Sequence, residues 1–199
     1  MKTRLAGPIQ FDAESMRANL AGLKTETRRL LNPQPLYDEP TQTWRVNRPT
    51  RLYVDVFDSE LRCQPWLFYP VHRPGDVCWV QEPHYLADNG LVYYPASDDI
   101  PPSWKHKDMR TGRPSLRPAR FMRREWHRAR VTFLSVRAER LLEIRYKAIH
   151  FEGAPAQYES VIGMRSWFQT RWNGLHTKDG PWESNPWVVV YQYRFELNR

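Results

Sequence analysis

The chain has 199 residues, and its 30 Lys and Arg, mostly arginine, outweigh 22 Asp and Glu to leave a formal net charge of +8. That length buries a core without staples, and the only cysteines, Cys63 and Cys78, have no Cys or His at zinc spacing, so neither a disulfide framework nor a structural zinc is expected. No stretch approaches the roughly 18 to 20 apolar residues of a membrane span, and no apolar run follows Met1, which points to a soluble, cytoplasmic protein.

A polyanion is the partner this charge suits. Arginine presents a planar fork of donors that matches phosphate and stacks on bases. Nine Trp, ten Tyr and eight Phe are more than such a surface needs, so most belong to the core and a minority beside basic residues serve as stacking platforms. His72, His84, His106, His127, His150 and His176 show no ligand spacing, and neither a metal nor another cofactor is expected.

In chain order, Ile9, Phe11, Met16 and Leu20 recur at roughly helical spacing, Asp12 or Ser15 can cap the start, and Gly22 ends the helix. Lys24-Thr25-Glu26-Thr27-Arg28-Arg29 then leaves as an extended segment. Alternation puts Lys24, Glu26 and Arg28 on one side and Thr25, Thr27 and Arg29 on the other. Such a run reads either as a site or as a solvated surface segment. For Lys24 to meet Thr27, a turn or bulge after Gly22 is needed.

Prolines 33, 35, 40 and 49 make residues 32 to 50 a loop or short ribbon. Arg51 to Val56 and Trp66 to Tyr69 are strand candidates that suggest an inserted hairpin. Arg73-Pro74-Gly75-Asp76 is a tight turn, after which Val77 to Glu82 alternates as a strand, with Glu82 at its end before Pro83. Residues 95 to 118 form a second insertion. It carries five prolines together with Lys105, His106, Lys107, Arg110, Arg113 and Arg117, and is either a tolerated excursion or a basic flap over a nucleic acid.

The densest basic and aromatic segment follows at 119 to 130, with Arg120, Arg123, Arg124, Trp126 and Arg128 among its residues. Its composition suits a surface that tracks phosphates and stacks bases. Val131 to Arg137 is a strand, Tyr146 to Glu152 a short helix closed by Gly153, and 156 to 172 a second helix with Tyr158, Ile162, Trp167, Phe168 and Trp172 on its apolar side. Trp187 to Phe195 closes the chain as a long strand. Short, turn-punctuated strands with few helices describe a small mixed barrel.

The order of Lys24 to Arg29, Arg73 to Val80, a strand followed by Glu152-Gly153, and Asn185-Pro186-Trp187-Val188 resembles the ASCH superfamily, most of all its version common in bacteriophage and prophage genomes. The resemblance implies an α+β fold, a PUA-like (ASCH) mixed β-barrel with flanking short helices. It implies a single domain over 1–199 with two Pro-rich insertions at about 32–70 and 84–118, a cleft for RNA or another nucleic acid, and a place in the host cytoplasm.

One branch of the superfamily, the small amidohydrolases of N4-acetylcytidine, uses a Lys and a Thr in a Gly-x-Lys-Thr-x-Thr segment and a Glu after the central strand. By resemblance these fall on Lys24, Thr27 and Glu152, with one matching arginine, Arg29 or Arg28 depending on register. A desolvated Lys24 can take the proton of the Thr27 hydroxyl, and Glu152 can orient water or serve the leaving amine.

Three functions follow. The first is binding of nucleic acid, RNA before duplex DNA, through Thr25, Arg28, Arg29, Arg73, Trp79, Glu82, Arg120, Arg123, Arg124, Trp126 and Arg128. The second is hydrolysis of a modified nucleoside or of RNA by Lys24, Thr27 and Glu152. The third is a phage structural or host-interaction role with an idle pocket.

Overall fold

The computed structural model describes residues 5–32, 34–38, 43–45, 53–57, 63–67, 71–87, 89–100, 104, 115–158 and 160–198. The Lys105 to Arg113 stretch of the expected flap, and prolines 33, 40 and 49, lie outside them. In chain order the elements begin with β1 (Leu5–Gln10), α1 (Ala13–Leu20), β2 (Glu26–Leu30), β3 (Leu36–Asp38), β4 (Thr43–Arg45), β5 (Tyr53–Phe57) and β6 (Cys63–Leu67). There follow β7 (Val77–Gln81), β8 (Tyr85–Leu86), β9 (Val92–Tyr93), β10 (Ala129–Arg140), α2 (Tyr146–Phe151), α3 (Val161–Leu175) and β11 (Trp187–Leu197). The fold is α+β with a mixed sheet, and among the described residues no closed barrel is found.

Contacts divide the chain into two compact units, Met1–Gly22 with Asp76–Thr132 and Arg194–Arg199, and Leu23–Gly75 with Phe133–Tyr193. In the first unit β1 runs parallel to β7, with Ile9 opposite Val80, and β7 pairs antiparallel with the start of β10, with Val131 opposite Cys78. Ile9, Phe11, Met16, Cys78, Val80 and Val131 are buried here. Asp12 caps α1 by accepting a hydrogen bond from the Ser15 amide at 2.7 Å. Gly22, at φ +71°, takes the left-handed conformation that ends the helix, as its position suggested. His84 and Arg117 exchange backbone hydrogen bonds at 3.1 and 2.8 Å, so the intervening segment leaves and returns at one point.

In the second unit the strand order is β10, β11, β2, with β2 antiparallel to β11. Hairpins β3–β4 and β5–β6 belong to the same unit. The second hairpin is the expected one, with its strands shifted to Tyr53–Phe57 and Cys63–Leu67.

Register fixes which side chains of β2 share a face. Leu30 lies opposite Val188 and Arg28 opposite Val190, and Val188 and Val190 pack into the core of Leu141, Ile144, Ile149, Met164, Phe168 and Trp172. Thr27 lies opposite Tyr191, whose ring meets Phe133 and His72. This strand is therefore covered on both sides.

The second helix departs from expectation at both ends. Ser160 caps it by accepting from the Gly163 amide at 3.0 Å, so it starts after residue 156 and runs on to Leu175. Met164, Phe168 and Trp172, four residues apart, form its buried stripe, and Ile162 is 82% exposed because it falls outside that stripe. In α2, Gly153 (φ +91°) supplies the turn that releases the chain, leaving Glu152 as the capping residue.

Candidate functional site

Lys24 stands where the chain changes partner. The Thr25 carbonyl accepts from the Tyr193 amide at 2.9 Å, continuing the β2–β11 ladder, whereas the Thr25 amide donates to the Phe151 carbonyl at 2.9 Å. A bridge between Lys24 and Glu152 results, bringing residues 128 positions apart together at the end of α2. Because that ladder is regular through Thr27, no bulge turns Thr27 toward Lys24. Thr27 is buried on the aromatic face instead, opposite the one that carries Arg28.

Lys24 Nζ donates to Glu152 Oε2 at 2.5 Å and to the Glu152 carbonyl at 2.9 Å. Arg28 Nη1 donates to Glu152 Oε1 at 2.9 Å and lies 3.3 Å from Glu26 Oε2, while its Nε donates to Glu139 Oε1 at 2.7 Å. Arg137 completes the set, with Nη1 and Nη2 on the two oxygens of Glu26 at 3.1 and 3.2 Å and Nε on Glu139 at 3.2 Å. Three cations and three carboxylates thus form one neutral network. It runs inward from Arg137, whose side chain is 39% exposed, to Lys24 and Glu152 at 4% and 6%.

Burial decides the electrostatics of this network. Desolvation pushes the Lys24 amine below the usual lysine range, and the opposing charge of Glu152 does not cancel it. Arg171 and Arg29 add to the lowering. Burial would raise the Glu152 carboxyl, but the charges of Lys24 and Arg28 outweigh it and hold the group below the usual carboxylate range. For Arg28, burial is likewise outweighed by Glu152, Glu139 and Glu26, and its pKa is raised.

One donor of this network is left over. Arg28 Nη2 is buried and has no hydrogen-bond partner among the described residues. A buried N–H without an acceptor costs about 1–3 kcal/mol, more on a charged group, so an arginine whose Nε and Nη1 are paired while both N–H groups of its buried Nη2 lack an acceptor calls for an explanation.

The other expected binding residues distribute as follows. In the second unit Thr25 and Arg73 are exposed and Arg29 is half-buried. In the first unit Arg120, Arg123 and Arg124 are exposed on two 3-10 turns, Ala119–Phe121 and Arg124–Trp126, and Trp126 is half-buried. Trp79 is a correction, since it is buried with its ring 5.8 Å from that of His127, a core residue and not a platform.

Glu82 is buried as well, and Arg128 is half-buried against it. Glu82, 1% exposed, accepts from Arg128 Nε and Nη2 at 2.8 Å each, Arg128 Nη1 donates to Ser97 Oγ at 2.5 Å, and the guanidinium lies 4.1 Å from the Tyr94 ring centroid. Nε, Nη1 and Nη2 of that arginine all have partners, and its side chain is 23% exposed. The pair is a clamp on the loop at residues 94 to 98, where Tyr94 and Ser97 also bond Asp98.

Glu26, Arg137 and Glu139 were not expected in the site. Their signal was present in the two-residue alternation, which aligns Glu26 with Lys24 and Arg28, and Arg137 with Glu139. Among the described residues no group of three or more His, Cys, Asp or Glu is placed to hold a metal, and no helix is long and apolar enough to cross a membrane. No protein-family model matches the chain, and neither a curated protein nor a solved structure matches it significantly.

Proposed function

We propose that this chain is an RNA-binding protein of the ASCH type, with a PUA-like fold and phage ancestry, and that its ligand is recognised at the Lys24–Arg28–Glu152 network. The observation that carries the reading is the buried Arg28 with its partnerless Nη2. A carbonyl or phosphate oxygen supplies the missing acceptor, and both abound on RNA. The +8 net charge, concentrated in arginine, favours such a ligand over any cationic or neutral one. Glu152, Glu139 and Glu26 fix the orientation of the guanidinium, so its rotamer is already set in the folded chain.

The test is fluorescence anisotropy of a labelled single-stranded RNA with wild type and Arg28→Lys, from about 50 to 200 mM salt. Lysine keeps the charge and lacks the fork, so binding that weakens with salt and falls a further tenfold or so in the folded variant is expected. A wild-type protein that does not bind RNA at the lowest salt overturns the reading.

A second reading is favoured by one specific feature, the Lys24 amine lowered by burial beside an ionised Glu152. Once deprotonated, that amine can accept a proton from attacking water, and the carboxylate can hold that water, as hydrolysis of an N-acetylated base requires. On this reading wild type releases acetate from N4-acetylcytidine and Lys24→Met does not. A wild-type protein inert on that nucleoside removes it.

A further inference from the structure

Residues 115 to 126 of the first unit carry a surface of a different kind. Met122 is buried between the two 3-10 turns and pins them to β7, its carbonyl accepting from Gln81 Nε2 at 3.0 Å and its sulfur lying 3.3 Å from the Glu82 amide. With that residue turned inward, its neighbours turn outward. Phe121 is 57% exposed and Leu116 52%. Arg117, Arg120, Arg123 and Arg124 are exposed too, and Glu125 lies 3.5 Å from Arg123.

Two of the arginines lie over aromatic rings. Arg120 sits 4.8 Å from the Phe121 centroid and Arg123 5.0 Å from that of Trp126. Each pair sets a flat cationic group on a ring, the arrangement that offers a stacking face and a phosphate contact side by side. Bases paired in a duplex show only their edges, so an exposed phenyl ring flanked by guanidinium groups gains nothing from a double helix beyond phosphate contacts. Among the described residues no carboxylate pairs with Arg117, Arg120 or Arg124.

We propose that this surface selects unpaired polynucleotide, a base stacking on Phe121 while Arg117, Arg120, Arg123 and Arg124 neutralise the adjoining phosphates. The proposal rests on the reading of the chain as RNA-binding and names which form of nucleic acid it takes. It assigns that selectivity to residues separate from the Arg28 network. Phe121 is solvent-facing, so its substitution leaves the core intact.

The experiment measures anisotropy of one labelled sequence as single-stranded RNA, single-stranded DNA and blunt RNA duplex, against wild type, Phe121→Leu and Phe121→Tyr. Expected are tighter binding of either single strand than of duplex, a loss of about ten- to a hundredfold in Phe121→Leu on single strands only, and recovery in Phe121→Tyr. A salt slope of about −2 to −3, from three or four phosphates on a single strand, accompanies this.

Equal or tighter binding of duplex overturns the single-strand assignment, as does a Phe121→Leu protein that binds like wild type, and both leave the RNA-binding reading standing. Failure of wild type to bind any of the three ends both. Retention on vesicles rich in phosphatidylserine without binding of oligonucleotide assigns the surface to a membrane instead, and overturns the proposal.

Discussion

Replacing Glu152 by glutamine isolates what the buried network is worth. The carboxylate is 6% exposed and accepts from Lys24 Nζ at 2.5 Å and from Arg28 Nη1 at 2.9 Å. Glutamine keeps the volume but removes the charge and presents an NH2 to one of those two donors. One buried cation is then left facing a donor, and breaking a buried pair in this way costs about 3–5 kcal/mol. For a chain of this length each kcal/mol moves Tm by about 2–4 °C, so a fall of about 6–20 °C is expected.

Lys24→Met is expected to cost less, because Glu152 keeps its bond from Arg28. In the double variant Glu152→Gln costs less than alone, with a coupling of about 1–3 kcal/mol. Urea titrations followed by tryptophan fluorescence and by far-ultraviolet circular dichroism give all four corners of the cycle. A Glu152→Gln protein within about 0.5 kcal/mol of wild type, or a cycle additive to that margin, refutes the assignment of a mutually dependent buried network.

Stability is expected to fall on acidification in two windows. Burial holds His84 below its ordinary 6.5, so below that pH the unfolded chain takes up a proton that the folded one does not, and stability declines. Glu152, held below its ordinary 4.5, contributes stability that is present above 4.5 and lost as pH falls through its folded value. Urea titrations in a pH series check both. A flat profile from pH 7 to 5 contradicts the first, and an unchanged acid limb in Glu152→Gln contradicts the second. Arg128→Met leaves Glu82 as an unpaired buried carboxylate and removes the bond to Ser97, with an expected loss of about 3 kcal/mol and faster proteolysis within residues 94 to 98. Protease resistance equal to that of wild type contradicts the clamp.

The sequence was legible where local chemistry dominates. Asp12 and Gly22 bracket α1 because a side-chain cap and a left-handed residue act within one turn, and the alternation of residues 24 to 28 correctly grouped Lys24, Glu26 and Arg28. It was not legible where partners arrive from far along the chain. The burial of Glu82 depends on Arg128, 46 residues away, and nothing local distinguishes it from a solvated strand-end glutamate. Trp79 is among the expected binding residues, yet β1 and β10 flank its strand and enclose it. Thr27 was grouped with Lys24 by motif, and the regular β2–β11 register separates their faces. The start of α3 is set by the Ser160 cap, and Ile162 is exposed because the stripe of Met164, Phe168 and Trp172 is the face that packs into the core.

Photo-crosslinking of a single-stranded RNA containing 4-thiouridine, followed by mass spectrometry of the adducted peptides, tests the central claim most directly. Adducts within residues 20 to 29 or 115 to 126, suppressed by excess unlabelled RNA, are the expected result. Adducts confined to other segments, or none at all, contradict the account.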